Sequence, residues 1–155
     1  MKRPLLLTTH VVAIAVGFAG GVYLTPILIA PDAPTTEQLR QQVGETMFTG
    51  QFRRDLTDSD ALHWGEGTLH VSAKAIALEG RVAPGPDYRL YLSPEFIDTE
   101  ADFNRLKPRM AQVGHVRTFD NFVVDVPPHI NPERYTTAIV WCESFGQFIT
   151  AAKYR

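Results

Sequence analysis

Tyr135-Thr136-Thr137-Ala138-Ile139-Val140-Trp141-Cys142 is a dense apolar run. On the two-residue period of a strand, Ala138, Val140 and Cys142 share one face, and Ile139 and Trp141 share the other. Both faces are apolar, so the run reads as a central strand. Glu143-Ser144 reads as a tight connection into a second apolar run, Phe145–Tyr154. Its alternation puts Phe148, Ala152 and Tyr154 on one side, and Phe145, Ile149 and Ala151 on the other. This C-terminal hairpin is the expected nucleus of the core.

The same period recurs upstream. Phe48 and Phe52 share a face. Ile76, Leu78 and Val82 oppose Glu79 and Arg81. Tyr88, Leu90 and Leu92 alternate with Arg89 and Tyr91, and Phe122, Val124 and Val126 alternate with Asn121, Val123 and Asp125. Turn signals separate these runs at Pro84-Gly85-Pro86, Ser93-Pro94 and Pro127-Pro128. The expected fold is all-β: an antiparallel sandwich or barrel of about seven to nine short strands, preceded by one N-terminal transmembrane helix.

That helix comes from the uncharged stretch Pro4–Pro31, which follows Lys2 and Arg3 and precedes Asp32. It is long enough to cross a hydrocarbon core of roughly 30 Å. The basic pair at its start predicts a cytoplasmic N-terminus and an extracytoplasmic, periplasmic domain behind a single-pass anchor. The rival is a cleaved signal peptide, whose apolar region is shorter and ends in a small-x-small site. Here Ala30 and Ala33 are each followed by proline, which favours an uncleaved signal anchor. Pro26 is expected to mark the frayed outer end of the helix. Ala13, Gly17 and Gly21 form a small-residue face, read here as ordinary membrane-helix composition.

The expected domains are therefore an anchor over 1–31, a linker with a short helix over 32–44, and a β domain over 45–155. The short helix spans Thr36–Val43 and stops at Gly44. It is expected to hold the domain off the membrane without chemistry of its own.

The chain of 155 residues has a net charge of -2 and no basic stripe. That argues against nucleic acid as a partner, because phosphate neutralisation dominates such binding. There is no Gly-x-Ser-x-Gly elbow and no His-Glu-x-x-His, so hydrolytic chemistry has little support. The acidic run Glu95, Asp98, Glu100 and Asp102 lacks the spacing and glycine of a calcium loop and reads as a solvated loop.

Cys142 is the only cysteine, so an exported chain has no internal disulfide. Its thiol is free, ligated, paired with another molecule, or core packing. Trp141 and Glu143, its neighbours, offer nothing that favours a thiolate. Among the histidines, His63 reads as a turn residue at a strand end, His70 as a surface strand residue, and His115 and His129 as loop residues. No Cys-x-x-Cys-His is present, which excludes covalent haem attachment. No close-spaced ligand pair suits zinc or an iron–sulfur cluster, so no metal site is expected.

Three segments carry a resemblance. They are His63-Trp64-Gly65-Glu66-Gly67-Thr68, Gly85-Pro86-Asp87-Tyr88-Arg89-Leu90-Tyr91-Leu92-Ser93, and Tyr135 through Trp141-Cys142-Glu143-Ser144-Phe145. In that order they resemble the DM-thirteen domain family, small extracytoplasmic β domains often found beside DOMON domains. The resemblance covers about Thr46 to Tyr154. It implies an electron-transfer or redox role with a protein redox or envelope partner. It makes Cys142 the functional centre, as a bare thiol or as a ligand to a cofactor such as haem, with His63 the best-placed second ligand. The chain departs from the family at Val116–Asn121, where a Leu-Lys-Gly-Asn-like turn is usual, and in a longer Glu95–Met110 loop. With one thiol and no resolving partner, the chain is not a complete enzyme by itself. The alternative is a non-catalytic binding or accessory domain of the cell envelope in which Cys142 is core packing.

Overall fold

A computed structural model describes residues 2–155, with the side chains of Lys2 and Arg3 outside the description. Three α-helices appear among the described residues: α1 (Lys2–Ile29), α2 (Thr36–Val43) and α3 (Glu100–Leu106). The strands are β1 (Phe48–Phe52), β2 (Gly65–Val71), β3 (Ala75–Val82), β4 (Tyr88–Ser93), β5 (Ala111–Val116), β6 (Asp120–Asp125), β7 (Thr137–Cys142) and β8 (Gln147–Lys153). They form two antiparallel sheets, β1-β2-β3-β6 and β5-β4-β7-β8. The chain changes sheets after β3, β5 and β6, giving a sandwich-like arrangement.

The alternation read from sequence makes the interface between the sheets. Leu69, Val71, Ile76, Leu78, Val82, Phe122 and Val124 from one sheet meet Tyr88, Leu90, Leu92, Ala138, Val140 and Cys142 from the other. β7 is buried at every position, because α3 covers its second face. Ile139 and Trp141 pack there with Phe103, Leu106 and Tyr91. Burial of a large apolar side chain contributes roughly 1.5–3 kcal/mol, so β7, apolar on both faces, is the strand least able to tolerate a polar change.

One glycine pair fixes the approach of β2 to β3. Gly67 (φ +122) is in register with Gly80, and a Cβ on either would collide with the main chain of the other strand. This gives the Gly-Glu-Gly segment a structural reason.

Five expectations need correction. α1 continues through Pro26 to Ile29, since a proline so near a helix end removes only one hydrogen bond. α2 begins and ends as read, with Thr35 in a capping box and Gly44 at the end. It is not a free spacer: Leu39 and Val43 are buried against Ala77. The acidic run is not all loop, because Thr99 caps α3 over Glu100–Leu106. In β8, Ile149 faces the main core with Ala152 and Tyr154, while Phe148 joins Ala151 on the outer side. A bulge opposite Val140 and Trp141 shifts the register and reverses the faces. Phe145 lies in the turn before β8 and is exposed.

Candidate functional site

The site lies at the end of the sandwich where β7 finishes. Tyr88 at the start of β4 pairs with Cys142 at the end of β7. Before Tyr88 the chain makes the turn Pro84-Gly85-Pro86-Asp87. Asp87 takes φ +51, and its carboxylate holds Arg89 at 2.7 Å. The Tyr88 ring lies over Gly85, where any Cβ would strike the phenol. After Cys142 the chain turns through Glu143–Gly146, closed by Gly146 N–H donating to the Cys142 carbonyl at 2.9 Å, with Gly146 at φ +63.

These two turns enclose the sulfur. The Cys142 thiol donates to the Pro86 carbonyl at 3.1 Å. Burial pushes its pKa up, against the pull of the Phe145 and Ser144 N–H groups, and the nearby Asp87 and Glu143 charges push the same way as burial. The group is therefore a protonated thiol near neutrality. Only 3% of the residue's surface is exposed. Tyr88 beside it is likewise raised, first by burial and then by Cys142.

Cys142 and His63 line one cavity of about 510 Å³, together with Leu62, Pro86, Phe145 and the α1 residues Phe18, Val22 and Tyr23. The structure thus brings the two sequence-derived site residues to a common space. His63 is nevertheless held as a turn residue. Its Nδ1 lies 2.9 Å from Asp60 Oδ2, and Asp60 Oδ1 accepts from the Leu62 and His63 N–H groups. These contacts, the His63 side chain first, hold Asp60 below the usual carboxylate range.

Haem does not fit this pair. An axial thiolate needs a deprotonated, reachable sulfur, whereas the Cys142 thiol keeps its proton, donates to the Pro86 carbonyl and is only 3% exposed, and the His63 ring is held by Asp60. Nor is there, among the described residues, a group of three or more His, Cys, Asp or Glu side chains arranged to hold a metal.

The other histidines stand apart. His70 is half-buried rather than on the surface, with Nε2 unpartnered by any hydrogen bond and 3.8 Å from Glu79. His115 is an exposed residue of β5 rather than of a loop, and His129 sits in an exposed turn.

Sequence reasoning missed a polar cluster on the other side of β7. Glu143 accepts from the Tyr91 hydroxyl and from Lys107 Nζ, the latter at 3.0 Å. Burial opposes its ionisation, but Tyr91, Lys107 and Arg89 outweigh that and hold it below its ordinary value. Burial, then Glu143, raises Tyr91. Beneath them Phe103 stacks on Trp141 with ring centroids 3.8 Å apart and planes 7° from parallel, and meets Tyr91 edge-on at 5.1 Å. The period-two pattern of β4 and β7 placed Tyr91 and Trp141 on this face. Only α3, unrecognised in the sequence, brings Phe103 and the following Lys107 to them.

The family model described as electron transfer DM13 matches residues 51–154. No curated protein and no solved structure matches the chain.

Proposed function

The chain belongs to the electron transfer DM13 family, and from that membership we propose that it is a membrane-anchored redox module of the extracytoplasmic side, centred on the thiol of Cys142. α1 is long and apolar enough to cross a membrane, and it supplies the anchor. The observation that carries the reading is the placement of Cys142: its side chain borders a cavity at the loop end, beneath a turn whose N–H groups favour a thiolate.

The chemistry follows from one sulfur. The resting thiol keeps its proton and shares it with the Pro86 carbonyl. When the Glu143–Gly146 turn opens, water reaches the sulfur, and the burial penalty on the thiolate, which outweighs the pull of the Ser144 and Phe145 N–H groups, falls. The thiolate then attacks one sulfur of a partner protein's disulfide. A Cys142–partner disulfide forms, and the partner's other sulfur leaves as a thiolate. The chain holds no second cysteine, so resolution needs a second thiol from a partner. This makes the protein one half of a redox couple. Incubation of the folded full chain in a glutathione redox buffer tests it by mass. One Cys142-linked glutathione per chain, absent in Cys142→Ser, supports the reading. Modification confined to denatured chain overturns it.

A second reading rests on the 3% exposure of Cys142 and its contacts within the main core. There the domain is a non-catalytic envelope binding or accessory module, and the cysteine fills space between Tyr88 and Val140.

A further inference from the structure

We propose that the loop end bearing Cys142 is seated on the outer surface of the bilayer that α1 spans, with Leu62 and Phe145 dipping into the lipid interface. The inference rests on the anchoring reading above. Leu62 is 57% exposed and Phe145 55% exposed, more than any other large apolar side chain of the β domain. Both stand at the same end of the sandwich, in the turns before β2 and β8. Exposed apolar side chains gathered at one spot mark a contact surface, whereas scattered ones do not. Phe96 and Met47, also exposed, lie toward the opposite end.

The occupant is identified by α1. The cavity bounded by Leu62 and Phe145 is bounded on its other side by Phe18, Val22 and Tyr23 of α1. A domain face that meets the outer part of a membrane helix's span faces the lipid interface. The register of the helix agrees. The 20 residues from Pro4 to Tyr23 rise about 30 Å, which matches the hydrocarbon thickness. Tyr23 then stands at the outer interface, where tyrosine is favoured, and Thr25–Ile29 emerge above it. Phe18 lies about 7.5 Å deeper than Tyr23, within the depth that interfacial apolar side chains reach. The tips opposite Phe18–Tyr23 therefore occupy the headgroup and upper acyl layer. The rim carries Arg117 and His115 but also Asp87, and Asp60 beside His63, so apolar insertion rather than attraction to anionic lipid holds the surface down. A partner that reaches Cys142 then approaches along the membrane plane.

The test reconstitutes the full chain in phosphatidylcholine vesicles, with a fluorescent thiol label at Phe145→Cys in a Cys142→Ala background. Matching labels stand at Val12→Cys within α1 and at Phe96→Cys on the opposite end. Lipids carrying a nitroxide near the headgroup or near the chain end serve as quenchers. The expected result is loss of fluorescence at 145 mainly with the shallow nitroxide, loss at 12 with the deep one, and none at 96. Quenching at 12 with none at 145 overturns the inference while the anchor stands. No quenching at 12 removes the anchor, and the inference falls with it. A Cys142→Ser background, and a label at Leu62→Cys, repeat the measurement if Cys142→Ala disturbs the fold.

Discussion

The thiol of Cys142 donates to the carbonyl oxygen of Pro86 at 3.1 Å. This bond ties the end of β7 to the turn before β4, across the same strand pair that sets Tyr88 opposite Cys142. Serine can repeat the hydrogen bond with a smaller oxygen, whereas valine cannot. Cys142→Ser is therefore expected to fold with a loss of about 1 kcal/mol, and Cys142→Val to lose more, because the Pro86 carbonyl is left unpaired. Urea unfolding of the two variants measures the difference.

Burial raises the Cys142 thiol above its ordinary value of 9.0. An acid whose pKa is raised by folding keeps its proton longer in the native state. Its stabilising contribution is complete below the unfolded value and is lost as pH rises past it. Tyr88 and Tyr154, raised chiefly by burial, add the same sign at higher pH. Stability should fall from about pH 9 upward, and Cys142→Ala should flatten the first part of that fall. Denaturation midpoints across the alkaline range check this.

Glu143 behaves in the opposite sense. Its pKa is held down by Tyr91 and Lys107 despite burial. The stability it contributes is present above its ordinary value of 4.5 and is lost as pH falls through the lowered one. Glu143→Gln is expected to cost about 1.5–3 kcal/mol at neutral pH, the range for a hydrogen bond to a charged group. The gap from the parent should close in acid. Paired unfolding curves at neutral and acidic pH show whether it does.

Phe103 is fully buried and stacks on Trp141 at 3.8 Å. Phe103→Ala should cost about 3–5 kcal/mol, as for other buried aromatics. It should also shift Trp141 fluorescence to the red as water enters. Unchanged stability would mean that α3 does not depend on this contact.

Haem added to the full chain should give no Soret band that depends on Cys142, because the thiol is protonated, bonded to the Pro86 carbonyl and only 3% exposed. A band lost in Cys142→Ser would contradict the geometry.

The faces of β7 were legible in the sequence because both are apolar and the strand is regular. The bounds of α2 were legible from Thr35 and Gly44, whose chemistry is local. α3 was not: two turns show too little period, and its acidic first turn looks like a solvated loop until Phe103 finds Trp141. The β8 face reversal depends on a bulge set by pairing with β7, so no local residue announces it. His115 followed Gly114, which reads as a turn. In fact a Cβ on Gly114 would come within 2.8 Å of Val124, and the glycine serves close packing inside β5. Cys142 was correctly placed on its strand, but its burial under Pro86 came from the partner turn. His63 was legible as a turn residue. Its arrival at the Cys142 cavity follows from the end of the sandwich, where both connections meet.

On the proposed redox role, Cys142 reacts from the folded state through local opening of the Glu143–Gly146 turn. The most direct measurement compares two rates in the full chain: modification of Cys142 by an aromatic disulfide reagent, and global unfolding under the same conditions. One thiol per chain is expected to react more slowly than a free thiol but clearly faster than the chain unfolds, and Phe145→Gly is expected to speed it without lowering stability to match. Modification that never outruns unfolding would rule out reaction from the folded state and leave Cys142 as a core residue.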